Sequence, residues 1–205
     1  MSFLKLQFLR LHGFKVFTGI ILACALTGFS QNITLVGTSK PPTNGFGDVW
    51  GEDNLACLGI WSGYGAYGVG IFDISNPAAP NLIQTYSPSP SSVKNRFEQG
   101  VIRSKIAYIG SWGGNGNGGG LHILSLTNVS STTPPVLLSK ITKNGAGTVT
   151  NGFDDVHTLF LERSFLYEAA HNAGSVTVKV FEVSNPSRPV YLWDIVTTNT
   201  TKVHQ

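Results

Sequence analysis

Apolar residues along this chain come in short runs, not in stripes of helical period. Runs such as Ala56-Cys-Leu-Gly59, Leu82-Ile-Gln-Thr-Tyr86 and Ala107-Tyr-Ile-Gly110 are bounded by Gly, Asn and Pro. Such runs, rich in β-branched and aromatic residues and closed by turn formers, predict β-strands. The runs also recur. Gly68-Val-Gly-Ile-Phe-Asp-Ile-Ser-Asn76, Gly120-Leu-His-Ile-Leu-Ser-Leu-Thr-Asn128 and Thr177-Val-Lys-Val-Phe-Glu-Val-Ser-Asn185 align, with their final Asn residues 52 and 57 apart. Ahead of each lies a shared opening, Asn44-Gly-Phe-Gly-Asp-Val49, Asn95-Arg-Phe-Glu-Gln-Gly-Val101 and Asn151-Gly-Phe-Asp-Asp-Val156, whose Phe46, Phe97 and Phe153 are 51 and 56 apart. Two anchors with nearly equal offsets define a repeat.

Each unit holds four short strands, and the third ends at Asn-Pro in two of the three units. Pro cannot donate to a ladder, and the residue before it avoids the α region. Four strands in about 50 residues is the pattern of a β-propeller blade. A blade cannot bury both faces alone, so neighbours must stack on it. The competing all-β reading is a β-sandwich, against which the repeated punctuation stands. The expected organisation is a leader over 1–30 and a partial propeller over 31–205, with units at about 44–94, 95–150 and 151–200 and the start of another at 201–205. Asn32-Ile-Thr-Leu-Val-Gly37 reads as a further strand. Three units fall short of the usual 4–8 blades. An incomplete ring, either part of a longer protein or closed by self-association, is therefore expected.

Composition sharpens this. With 12% charged residues, 24 Gly and 10 Pro, long charged helices and coiled coils are excluded, while 41% hydrophobic residues exclude a disordered chain. The first thirty residues carry Lys5, Arg10 and Lys15 and no acid, followed by the 14-residue apolar run Val16 to Phe29. That is too short to span a bilayer and has the form of a secretory signal. Gly28 and Ser30 place cleavage before Gln31, while Ile21-Leu-Ala-Cys24 loosely resembles a lipid-attachment box. Without the leader, the net charge of +3 falls to 11 bases against 11 acids. No nucleic-acid partner and no transmembrane helix after signal removal are expected. Removal of Cys24 leaves Cys57 alone in an apolar run, a buried inert thiol with no disulfide. Asn32, Asn128 and Asn199 begin glycosylation triplets, which matter if the source is eukaryotic.

Gly70-Ile-Phe-Asp-Ile-Ser-Asn-Pro-Ala-Ala-Pro80 and Val180-Phe-Glu-Val-Ser-Asn-Pro-Ser-Arg-Pro189 resemble LVIVD repeats, as do the openings Asp48-Val-Trp50 and Asp155-Val-His157. The resemblance extends over about Gln31 to Gln205 and is to the extracellular propellers called choice-of-anchor B proteins. The middle unit departs from it, with Ser125 in place of the acid and no Pro directly after Asn128. The resemblance implies a secreted or surface-attached propeller and supplies no reaction or ligand.

Candidate chemistry is sparse. Asp48, Glu98, Asp154 and Asp155 open the units, and in a propeller they would converge on the central channel. A ring of carboxylates could take a hard cation, but turn capping accounts for them as well. His157 and His204 are 47 apart, and Trp50 takes the equivalent place in the first unit; His171 lies in a loop. Facing imidazoles could bind a transition metal, yet no close-spaced ligand pair is present, and neither metal nor cofactor is expected. The Gly-rich run 113–120 lacks the Lys and following helix of a phosphate loop. Trp61 and Trp112, 51 apart beside Gly-rich loops, would offer a stacking surface to a glycan or protein if exposed, and fill the gap between blades if buried. Two functions remain in view: a non-enzymatic extracellular binding or scaffold propeller, favoured by the absence of a catalytic motif, and a propeller hydrolase or lyase working through the channel Asp and His residues.

Overall fold

The computed structural model describes residues 33–39, 45–62, 68–87, 96–112, 119–142, 152–153, 155–170 and 177–196. The chain divides into two compact units, 1–36 and 37–205. Among the described residues there is no helix, and none long and apolar enough to cross a membrane. Twelve strands form three four-stranded sheets. The first contains β1 (Gly45–Glu52), β2 (Leu55–Ser62), β3 (Gly68–Asp73) and β4 (Asn81–Tyr86). The second contains β5 (Arg96–Arg103), β6 (Ile106–Trp112), β7 (Gly120–Ser125) and β8 (Val136–Ile141). The third contains β9 (Val156–Glu162), β10 (Phe165–Ala170), β11 (Thr177–Glu182) and β12 (Val190–Val196). Each sheet is an antiparallel meander in chain order. The fold is all-β, built of propeller-type blades. The strand expected around Asn32–Gly37 is absent: residues 33–39 carry no regular structure. An apolar run makes a strand only where a neighbouring ladder takes its N–H and C=O groups.

Two-residue turns join the first strands of each sheet, at Asp53-Asn54, Ser104-Lys105 and Arg163-Ser164. Asp53 (φ 54°), Ser104 (51°), Lys105 (60°) and Arg163 (54°) occupy the left-handed region. Turns with positive φ match the twist of the strands they join. A second tie recurs: Ile74, Leu126 and Val183 each donate a backbone N–H to Asn54, Lys105 and Ser164, all at 2.8 Å. The repeat motif also supplies its own turns. Asp73 Oδ1 accepts from Ser75 N at 2.8 Å and Glu182 Oε1 from Ser184 N at 2.9 Å. Asn76 and Asn185 accept in the same way from Ala78 N and Ser187 N. The motif acid, where present, is thus a turn cap.

Sheets stack through alternating side chains. Phe97, Ile102, Ala107, Ile109 and Leu124 of the second sheet pack with Cys57, Val69 and Ile71 of the first. From its other face, Val101, Tyr108, Leu121 and Ile123 pack with Leu159, Leu161, Leu166 and Phe181 of the third. Successive strand residues point to opposite faces, which lets one strand serve two cores. Glycine permits the closest approaches. A Cβ on Gly100 would lie 3.3 Å from Cys57 Cβ, and one on Gly110 would lie 2.8 Å from Val156 Cγ1.

The hairpin register corrects the sequence alignment of the third unit. Glu52 pairs with Leu55, Arg103 with Ile106 and Glu162 with Phe165. Counted from those pairs, Trp50 corresponds to Val101 and Phe160, not to His157. Val156, not Phe153, stands where Phe46 and Phe97 stand, opposite Ala170 as they are opposite Ile60 and Ser111. The third unit has three more residues between its opening motif and its hairpin, and these are accommodated ahead of β9.

Candidate functional site

Of the residues singled out in the sequence, Asp48, Glu98, Trp112, Asp155 and His157 lie toward the strand ends away from the two-residue turns. Register shifts fall between Phe46 and Val49 and between Phe97 and Gln99, so Asp48 and Glu98 sit at bulges in β1 and β5. A bulge leaves its extra residue outside the ladder and redirects it. Asp48 is exposed, and Trp50 is 40% exposed on the face it shares with Cys57. Asp155 is half-buried and forms an isolated bridge with Trp112, tying the end of β6 to the start of the third sheet. His157 is half-buried, its Nδ1 3.1 Å from Thr158 Oγ1. Trp112, at the end of β6, is half-buried. Asp154, His171, His204 and the side chains of Trp61 and Glu98 lie outside the described residues, as do Asn32, Asn199 and Cys24. Among the described residues no three His, Cys, Asp or Glu side chains gather as a metal site.

Polar groups join the sheets at depth. Gln99 Oε1 accepts from Leu159 N at 2.5 Å between the second and third sheets. Tyr86 Oη lies 3.0 Å from His122 Nδ1 between the first and second, and the ring of Phe97 meets His122 edge-on. Burial pushes the Tyr86 phenol up to about 12. Glu168 is fully buried and accepts from Phe153 N at 3.3 Å, and Lys179 is paired with Asp194 at 3.0 Å. Lys179 also lies over the rings of Phe153 and Tyr191. The Gln99 and Tyr86–His122 contacts tie neighbouring sheets, while those of Glu168 and Lys179 lie within the third unit.

The sequence reading missed a recess. A groove of about 720 Å³ opens between the first and second sheets at their two-residue turns. Its floor is Leu55, Ile83, Ile102, Leu126 and Val129, and its rim carries Glu52, Asp53, Asp73 and Lys105. Glu52 Oε2 accepts from Ser104 N at 2.6 Å, and its Oε1 is 3.6 Å from Arg103 Nε. The Ser75 hydroxyl and backbone N–H hold the Asp73 carboxyl below the ordinary carboxylate range. The lining contains no imidazole and no thiol. An apolar floor under fixed carboxylates suits a ligand with an aliphatic or aromatic body and a hydrogen-bond-donating or cationic end. Asp73 and Ser75 of the repeat motif reach the groove, but the motif does not reveal it, because the walls come from two units and the rim from turns.

The LVIVD repeat family matches residues 48–87, which run from the β1 bulge to just past β4. That stretch is the body of the first sheet, and the same meander recurs twice. No curated protein matches the chain.

Proposed function

Taking as premise an LVIVD repeat folded as one of three like sheets, we propose that this protein is a propeller-type binding or scaffold module at the cell exterior, of the choice-of-anchor B kind. The groove between the first two sheets carries the reading: its size and apolar floor suit capture of a protein segment, and its carboxylate rim favours one with a basic side chain. The motif residues Asp73, Asn76, Glu182 and Asn185 are engaged in their own turns, which makes them builders of the sheet rather than reacting groups. Asp48, at the β1 bulge, and the exposed Trp50 on the same strand are the next contact candidates. The basic, apolar leader with small residues at 28 and 30 directs export and is cut before Gln31. Asn128 lies exposed in the turn between β7 and β8, where a glycan would find room.

Two measurements test this. Cross-linking of the purified chain to proteins of its own cell surface, compared with Asp53→Lys, reads the groove. The substitution reverses a rim charge without touching the core and is expected to abolish capture. Capture that ignores it, or no capture by either form, refutes the groove reading. Intact mass of exported material is expected to begin at Gln31; material starting at a lipid-modified Cys24 would replace secretion with anchoring.

A further inference from the structure

We propose that the groove between the first two sheets selects an extended segment that carries a basic side chain and, about three residues away, an acidic one, with the acidic end read by Lys105. This rests on the reading of the groove as a capture site for a protein segment, and it adds what that segment contains. The lining is divided by charge. Glu52, Asp53 and Asp73 all belong to the first unit, and Lys105 belongs to the turn between β5 and β6 of the second. A segment with basic side chains alone would meet a like charge on the facing wall. Stacked sheets stand about 10 Å apart, the length of about three residues of extended chain. A segment crossing the floor therefore sets opposite charges on opposite walls, with apolar side chains between them over Ile102 and Leu126.

The repeat shows that a blade does not need these acids. Counted from the hairpin pairs, Arg103, Ser104 and Ser125 of the second sheet take the places of Glu52, Asp53 and Asp73. Asp53 and Ser104 share the left-handed conformation, with φ 54° and 51°. Asp73 caps its turn by accepting from Ser75 N, and Ser125 Oγ accepts from Thr127 N at 3.4 Å in the same way. A hydroxyl serves both turns, so the carboxylate charge at Asp53 and Asp73 is a property of this groove and not of the blade.

Lys105 is set in position by its backbone. Glu52 Oε2 accepts from Ser104 N at 2.6 Å and ties the turn to the facing wall. Leu126 N donates to Lys105 O at 2.8 Å and ties it to its own sheet. Arg103 Nε is turned to Glu52 Oε1 at 3.6 Å, so among the lining residues the positive charge is that of Lys105. A backbone held on both sides leaves only the side-chain stem to be ordered on binding.

Calorimetry with two blocked decapeptides tests this. They carry Arg-Leu-Leu-Glu or Arg-Leu-Leu-Gln at the centre of an otherwise uncharged sequence. The Glu peptide is expected to bind about threefold to fivefold more tightly, the upper range for a solvent-exposed ion pair. Lys105→Gln should remove that preference, and Lys105→Glu should reverse it. A misfolded variant would lose both peptides and cannot reverse their order, and the neutral Lys105→Gln decides if Lys105→Glu is misfolded. Equal binding of the two peptides by the unaltered chain, or a preference for Glu that survives Lys105→Glu, overturns the proposal and leaves the groove reading standing. Binding of neither peptide overturns both. Asp53→Lys should weaken the two peptides alike, which separates the failure of one reading from that of the other.

Discussion

Phe72, Leu124 and Phe181 occupy one position in three sheets, opposite Ala56, Ala107 and Leu166, and all three are buried. This equivalence was legible in the spacing of the repeat, because the position lies inside a strand with no insertion between it and the motif Asn. Phe181→Ala is expected to cost about 3–5 kcal/mol, read from the urea midpoint at unchanged slope. A loss near zero would mean that the ring leaves no cavity. Cys57 was legible too, as a small apolar residue in an apolar run. Burial pushes its thiol up to about 12, so it stays protonated at neutral pH. A water-soluble disulfide reagent at mild alkaline pH is expected to leave Cys57 unlabelled until denaturant is added. Labelling of the folded chain at Cys57 would show that the first two sheets part readily. Trp50 and His157 were misleading, because a shared Asp-Val prefix implied a shared position that the hairpin register denies.

At the scale of elements, the strands followed from short apolar runs and turn residues, while the way one sheet meets the next did not. Gly100 and Gly110 sit on adjacent strands and serve opposite interfaces, toward Cys57 and toward Val156. In the sequence they are two glycines among 24. A Cβ at Gly110 would also lie 3.2 Å from Val156 O, which cannot rotate away. Gly110→Ala is therefore expected to destabilise by about 1–3 kcal/mol through overpacking, measured by thermal unfolding. An unchanged midpoint would mean that β9 can shift outward freely. Asp73 and Glu182 show the converse case: their spacing from the turn was visible, but only the hydrogen bonds to Ser75 and Ser184 reveal them as caps.

Across the whole molecule, stability rests on the two interfaces between successive sheets. Tyr86 and Tyr108, on opposite sides of the second sheet's core, both have phenols pushed up to about 12 by burial, from an ordinary 10. Burial disfavours the phenolate, so the folded state holds its proton where the unfolded chain has lost it. Their contribution is complete below pH 10 and falls as the pH rises toward 12. Urea midpoints are expected to decline across that window, and to decline less in Tyr86→Phe and Tyr108→Phe. A decline that neither substitution reduces would show that these hydroxyls do not carry it.

The sequence by itself determined the strands, their grouping in fours and the positions that fill the sheets, because alternation, turn residues and repeat spacing are local properties. Tertiary structure alone decided the rest. The three-residue offset of the third unit became visible only through pairing at Glu162 and Phe165. The groove exists only because turns of two units meet around Leu55, Ile102 and Leu126. Phe160 and Ile195 read in the sequence like their buried counterparts Val101 and Ile141, yet they stand exposed. Exposure is set by what packs on a face, and that is a relation between segments which no single run of residues carries.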